Sequence, residues 1–170
     1  MDQHKVAGSA ALLWGPSSYA HAKVLMAVGL VTLPGSDNSM VAEAWGCRVA
    51  LDILTLLHKH CPTGPRTVRS VGDNLPILNF CAGFSRLCRP SIQQILEVAL
   101  SEVLLQGWRI DWCGVRRRFN KASDKFATRS VFSARDRFAQ GHTAPQVSTH
   151  WLPGPTHGAT CRALVAGVAR

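Results

Sequence analysis

Ten acidic side chains stand against nineteen Lys and Arg in this 170-residue chain, so the positions of the acids are informative. Four fall where chemistry could be done. Asp2 precedes a first apolar run, Glu43 falls in the first turn of a long helical pattern, Asp73 closes a short β-suited run, and Asp124 falls in the first turn of a last helical pattern. Carboxylates brought to one point from separate elements make oxygen-only sites for hard cations such as Mg2+, and two such ions can clamp a scissile phosphate. Singly, each acid has a plainer reading. Glu43 and Asp124 would offset a helix dipole, and Asp73-Asn74 is turn chemistry.

Beside the fourth acid lies a basic cluster, Arg116, Arg117, Arg118, Lys121 and Lys125. Its functional reading is phosphate contact and its plain reading a solvated turn. The formal charge of +9 favours a polyanionic partner, with nucleic acid first, although a ribosomal fragment or an acidic membrane surface would suit the same charge. The other chemistry-bearing residues carry less. His58-x-His60-Cys61 reads as a polar helix end. His142, His150, His157 and Cys161 match no zinc spacing, and the six scattered cysteines read as buried, reduced thiols. Trp45, Trp108 and Trp112 read as core.

The elements that must position these residues follow from periodicity and turn chemistry. Residues 8–14 and 23–33 read as two strands that pair antiparallel across Gly15-Pro16-Ser17-Ser18. Val41, Trp45, Val49, Ile53 and Leu56 recur at helical spacing, with Asp37, Asn38 or Ser39 to cap the first turn and His58, Lys59 and His60 to suit the last. Residues 66–71 read as a third strand and 75–82 as a short helix. Ser91-x-x-Gln94 reads as a capping box ahead of a second long helix that Gly107 stops. Residues 108–115 read as a strand, 116–120 as a basic turn, and 121–131 as a final helix. Strand, strand, helix, strand, helix, strand, helix is an α/β arrangement, a mixed sheet of antiparallel hairpin strands plus parallel strands with helices packed against it. One domain over 1–131 is expected, followed by a Gly/Pro/His-rich flexible tail over 132–170. The longest apolar run, 24–33, is too short to span a bilayer and is broken by Gly29. With no signal-peptide pattern at Met1, an intracellular protein without a membrane partner is expected.

Four segments carry a resemblance. Asn38-Ser39-Met40-Val41-Ala42-Glu43-Ala44-Trp45-Gly46-Cys47-Arg48-Val49-Ala50-Leu51 resembles the Asn-x-x-Ala-Glu-x-x-Ala-x-x-x-Ala-Leu helix of type 1 ribonuclease H domains, especially those of plant and retroelement type. Val71-Gly72-Asp73-Asn74 looks like that family's strand ending in Asp-Ser or Asp-Asn. Val115-x-Arg117-x-x-Asn120-x-x-Ser123-Asp124-x-x-Ala127 is similar to its Val-x-Arg-x-x-Asn-x-x-Ala-Asp-x-Leu-Ala signature. At the front, Asp2-Gln3-His4-Lys5-Val6-Ala7-Gly8-Ser9-Ala10 resembles Asp-Gly-Ser followed by Gly-x-Gly-Ala, with Gln3 in place of the usual glycine. Only Met1 precedes Asp2, so most of the family's first strand, normally central in the sheet, is missing.

The resemblance implies a ribonuclease H-like fold and an endonuclease that hydrolyses the RNA strand of RNA–DNA hybrids. Asp2, Glu43, Asp73 and Asp124 would hold two Mg2+ or Mn2+ ions, and the products would carry 5′-phosphate and 3′-hydroxyl ends. Ser39 and Asn74 would read the 2′-hydroxyl that marks RNA. It also implies origin in a retroelement polyprotein with a reverse transcriptase domain upstream. The family often has a histidine between the strand and the last acid, and none lies between Cys113 and Asp124. Two other readings stand beside it: a catalytically inactive nucleic-acid-binding domain or decayed retroelement fragment, and an unrelated basic α/β protein whose acids are helix caps.

Overall fold

Residues 10–13 are apolar without alternation, and a strand of that kind must be covered on both faces. The computed structural model, which describes residues 6–16, 23–34, 38–64, 66–138 and 144–151, places them in β1 (Val6–Pro16), antiparallel to β2 (Lys23–Pro34). Ala11 and Leu13 join Ala27, Val31 and Leu33 against Val49, Ile53 and Leu57 of α1 (Ser39–His60). On the other face Leu12 and Val28 pack with Ala122 and Phe126 of α4 (Lys121–Phe138). Two glycines let α1 lie close to the strands. A Cβ at Gly29 would fall 2.1 Å from Val49 Cγ1, and one at Gly46 2.1 Å from Ser9 Oγ. Of the three candidate caps for α1, Asn38 accepts from the backbone N–H groups of Met40 (3.0 Å) and Val41 (3.4 Å).

The second half of the chain builds a two-stranded parallel ladder, β3 (Thr67–Gly72) with β4 (Arg109–Gly114). Their connection runs through α2 (Leu75–Cys81) and α3 (Pro90–Leu105), and a second core forms where Ala44 of α1 meets Ile77, Cys81, Leu87, Ile92 and Leu96. Trp108 is buried and Trp45 and Trp112 are partly so, all in core clusters. Gly107 stops α3 as expected. It has φ of 82°, its N–H bonds the Leu104 carbonyl, and the Trp108 N–H bonds the Val103 carbonyl, the pattern of a Schellman cap.

Several expectations are corrected. The Ser91-x-x-Gln94 capping box does not form. Pro90, with φ preset for a helix, starts α3 two residues earlier than a Ser91 cap would, Arg89 takes the cap position without a side-chain bond, and Ser91 already lies inside the helix. The tail expected from residue 132 is not without structure. Helix α4 continues to Phe138, and β5 (Gln146–Trp151) pairs antiparallel with β2. Residues 139–143 and 152–170, the rest of the expected tail, lie outside the described residues. Strand β5 is polar, Gln-Val-Ser-Thr-His-Trp, and shows no hydrophobic period because an edge strand needs main-chain pairing more than an apolar face. The five described cysteines form no disulfide with one another, and of these only Cys81 is buried while Cys88 is exposed.

The α/β architecture with antiparallel and parallel strands and flanking helices is thus the one expected. Its strands fall in two ladders, β1-β2-β5 and β3-β4, with no hydrogen-bonded pairing of β1 to β3 among the described residues. Among the same residues no helix is long and apolar enough to cross a membrane.

Candidate active site

Three of the four predicted acids meet in one cleft. Glu43 comes from α1, Asp73 follows the end of β3, and Asp124 lies in the first turn of α4. Asp2 lies outside the described residues. The cleft has a volume of about 340 Å3, and its walls come from the N-terminal half of β1, α1, the C-terminal half of β3 and the start of α4. No acid occupies the first turn of α1, because the helix begins at Ser39 and Glu43 sits one turn further in. The helix-dipole explanation therefore fails for Glu43 and stands for Asp124.

Two asparagines hold the carboxylates. Asn74 caps α2, its Oδ1 accepting from the Ile77 N–H at 3.1 Å, and the same side chain donates through Nδ2 to Glu43 Oε2. Asn120, buried just before α4, donates through Nδ2 to Asp73 Oδ1 at 2.8 Å. The cap of α2 and a buried amide thus aim Glu43 and Asp73, from two separate elements, into the same space. The electrostatics agree. Burial raises the pKa of Glu43, and the charges of Asp73 and Asp124 add to the rise while the Asn74 amide and Arg117 oppose it. Burial likewise raises Asp124, Asp73 adds to it, and Arg117 opposes it.

Of the five cations in the basic cluster, Arg117 lines the cleft, its Nε 4.0 Å from Asp124 Oδ2. Arg116, Arg118, Lys121 and Lys125 are exposed outside it, with the Arg118 guanidinium 4.8 Å from the Phe119 ring centroid. Ser39 lines the cleft from the exposed start of α1. Among the described residues no three His, Cys, Asp or Glu side chains are close enough to hold one metal ion.

No protein-family profile matches the chain, and no curated protein does. Among solved structures, the chain is similar to the N-terminal RNase H domain of rv2228c from Mycobacterium tuberculosis, solved as a fusion with maltose-binding protein. The identity is 18% and the TM-score 0.48, over 74% of this chain and 98% of that one.

Two further residues belong to the cleft and had no role assigned from sequence. Asn120 orients Asp73, and Ser123 lies buried beside it. Asn120 Oδ1 and Ser123 Oγ are both buried without a hydrogen-bond partner. Their spacing ahead of Asp124 was visible in the sequence. Their burial depends on where α4 docks, which no local pattern states.

Proposed function

We propose that this cleft is the active site of a metal-dependent endonuclease of ribonuclease H type that hydrolyses the RNA strand of RNA–DNA hybrids. The observation that carries the reading is the convergence of Glu43, Asp73 and Asp124, from three separate elements, on one cleft in a chain with a formal charge of +9. The donors fit a hard divalent cation in kind, since all are carboxylate oxygens. They fit in charge too, since two of them are pushed toward neutrality by burial and by neighbouring carboxylates, an effect a cation offsets. Glu43, Asp73 and Asp124 would hold Mg2+ or Mn2+, with Asp2 as a fourth candidate ligand.

Bound divalent ions supply Lewis-acid stabilisation of the phosphoryl oxygens and a water acidic enough to attack at neutral pH. The chain's own residues do the rest. Asn74 and Asn120 fix the carboxylate orientations so that little reorganisation remains when charge develops. Arg117, beside Asp124 at the cleft, is placed to meet a phosphate that enters. Arg116, Arg118, Lys121 and Lys125 form an exposed basic track for the backbone of the duplex on either side. Ser39 is placed to meet a 2′-hydroxyl, whereas Asn74 has its oxygen on α2 and its nitrogen on Glu43, which makes it a positioning residue first. The motif around Val115 to Asp124 supports a retroelement origin, with a reverse transcriptase domain as the partner in a longer protein.

A second reading, a nucleic-acid-binding domain without catalysis, is favoured by one observation: the described acids are not gathered tightly enough to make a preformed metal site. A hybrid labelled on each strand in turn separates the two. The nuclease reading expects Mg2+-dependent cuts in the RNA strand alone, leaving 5′-phosphate and 3′-hydroxyl ends. The binding reading expects salt-sensitive retention of the intact hybrid.

A further inference from the structure

Ala44 and Cys47 of α1 lie in the second core with Ile77 and Cys81 of α2, at spacings of three and four that put each pair on one side of its helix. The Cys47 and Cys81 sulfurs are 3.7 Å apart. For packing alone, small apolar side chains would serve at both positions, since a buried thiol behaves as a small hydrophobe. Two thiols in contact add a chemistry, because together they can give up two electrons and two protons. Their surroundings differ. Cys81 is buried behind α1, whereas Cys47 is half-buried and lines the cleft, one turn beyond Glu43. A small oxidant that enters the cleft therefore meets Cys47 first, with Cys81 behind it as the second thiol.

We infer that Cys47 and Cys81 are a redox-active dithiol whose oxidation by a hydroperoxide closes a disulfide between α1 and α2. Neither thiol depends on the acids holding a metal. The Cys47 sulfur, as thiolate, attacks one oxygen of hydrogen peroxide. The O–O bond breaks, the departing hydroxide takes up the thiol's proton to become water, and the cysteine is left as a sulfenic acid. The Cys81 sulfur then displaces hydroxide from the Cys47 sulfur, which forms the S–S bond and releases a second water. Two thiols have lost two electrons and two protons, and the peroxide has been reduced to two waters. The hydrogen bond with Cys81 and burial hold the Cys47 thiol well above its ordinary pKa, so thiolate is scarce and the reaction takes minutes to hours rather than seconds.

The elements can accommodate the bond. A disulfide holds its sulfurs about 2.0 Å apart, so these two must approach by roughly 1.7 Å. Cys81 is the last residue of α2, and the chain beyond it has room to follow. Gly83 has φ of 80°, a Cβ built on it would meet nothing within 4 Å, and residues 83–86 are exposed. At the opposite end of α2, its cap Asn74 already holds Glu43 of α1. The bridge therefore fastens both ends of α2 to α1 and fixes the frame in which Asn74 meets Glu43. The two cysteines are 34 positions apart, and the segment between them carries β3, Asp73 and Asn74, so closing that loop also restricts the unfolded chain.

Peptide mapping of the folded full chain after hydrogen peroxide treatment at low protein concentration, with free thiols alkylated and no reductant added, tests this. Exposed Cys88 reports that oxidant has reached the protein. Once Cys88 is oxidised, we expect a bridged pair of peptides carrying Cys47 and Cys81. The bridged chain should melt on the order of 5–10 °C higher, and a dithiol reductant should return its Tm to the starting value. Cys81→Ala should show neither the bridge nor the gain, and if that variant does not fold, Cys47→Ala at the cleft wall gives the same comparison. A folded chain in which Cys88 is oxidised while Cys47 and Cys81 both remain alkylated after hours overturns the proposal. So does a bridge formed only in urea, a bridge from either cysteine to another partner, Cys47 carried on to a sulfinic acid with Cys81 untouched, or a bridged chain whose Tm does not rise. None of these readouts depends on cleavage of a nucleic acid.

Discussion

At the scale of single residues the cleft is a balance of repulsion and orientation. Glu43 has its pKa raised by burial and by two neighbouring carboxylates, so the folded chain holds that proton more tightly than the unfolded one. Stability contributed by this group is therefore largest at low pH and falls as pH rises from the ordinary glutamate value through the raised one. Glu43→Gln removes the charge and keeps an oxygen for Asn74. It should raise Tm modestly at pH 7 with no gain at pH 4, while abolishing metal-dependent cleavage; melting curves at both pH values check it. A lower Tm at pH 7 would contradict the electrostatic account. Asn120 offers the complementary case. Removing its amide leaves Asp73 without its buried donor, so Asn120→Ala should cost about 1–3 kcal/mol in denaturant unfolding and lower cleavage by misorienting Asp73. These roles were half legible in the sequence. The acids stood out because acids are few, but which amide holds which carboxylate is set by hydrogen bonds between residues 31 and 47 positions apart along the chain.

At the scale of elements, the helix pattern of Val41, Val49 and Ile53 and the turn chemistry after each strand located α1, β1, β2, β3 and β4 from sequence alone, because burial imposes a period on each. What resisted was structure without a period. Strand β5 is polar and lies at an edge, so its pairing with β2 leaves no hydrophobic signature. The start of α3 is ambiguous in the sequence because Pro90 and Ser91 both suit a helix start, and the preset φ of Pro90 prevails over the Ser91 side chain. Helix α1 sits tightly on β2 at Gly29. Gly29→Ala would push a methyl onto Val49 Cγ1 and should destabilise the fold by about 1–3 kcal/mol, read from the shift in urea midpoint at unchanged slope. A neutral result would mean that α1 has room to move away from the sheet.

At the scale of the whole molecule, the exposed cations lie beside the cleft that gathers the acids, an arrangement suited to holding a polyanion while its backbone is presented to the carboxylates. Neutralising Arg116, Arg118, Lys121 and Lys125 to Ser should weaken binding to hybrid and to duplex DNA alike. It should also flatten the dependence of affinity on salt, by about one released counterion for each phosphate that is no longer neutralised. Arg117→Ser, at the cleft, should lower cleavage more than binding. Equal effects from the outer cations and Arg117 on both measurements would remove that distinction. The division into two ladders, which are not paired with each other among the described residues, is the least legible feature of the molecule, since nothing in the local sequence of β1 or β3 says which edge pairs with which strand.

The most direct test of the central claim is the rate of RNA-strand cleavage in a labelled RNA–DNA hybrid as Mg2+ is titrated, for the native chain and for Asp73→Asn side by side. The account predicts cleavage that rises with Mg2+, spares single-stranded RNA and duplex DNA, and falls on the order of a hundredfold or more in the variant. A folded native chain that leaves the hybrid intact at every Mg2+ concentration, or a variant that cuts as fast as the native chain, would contradict it.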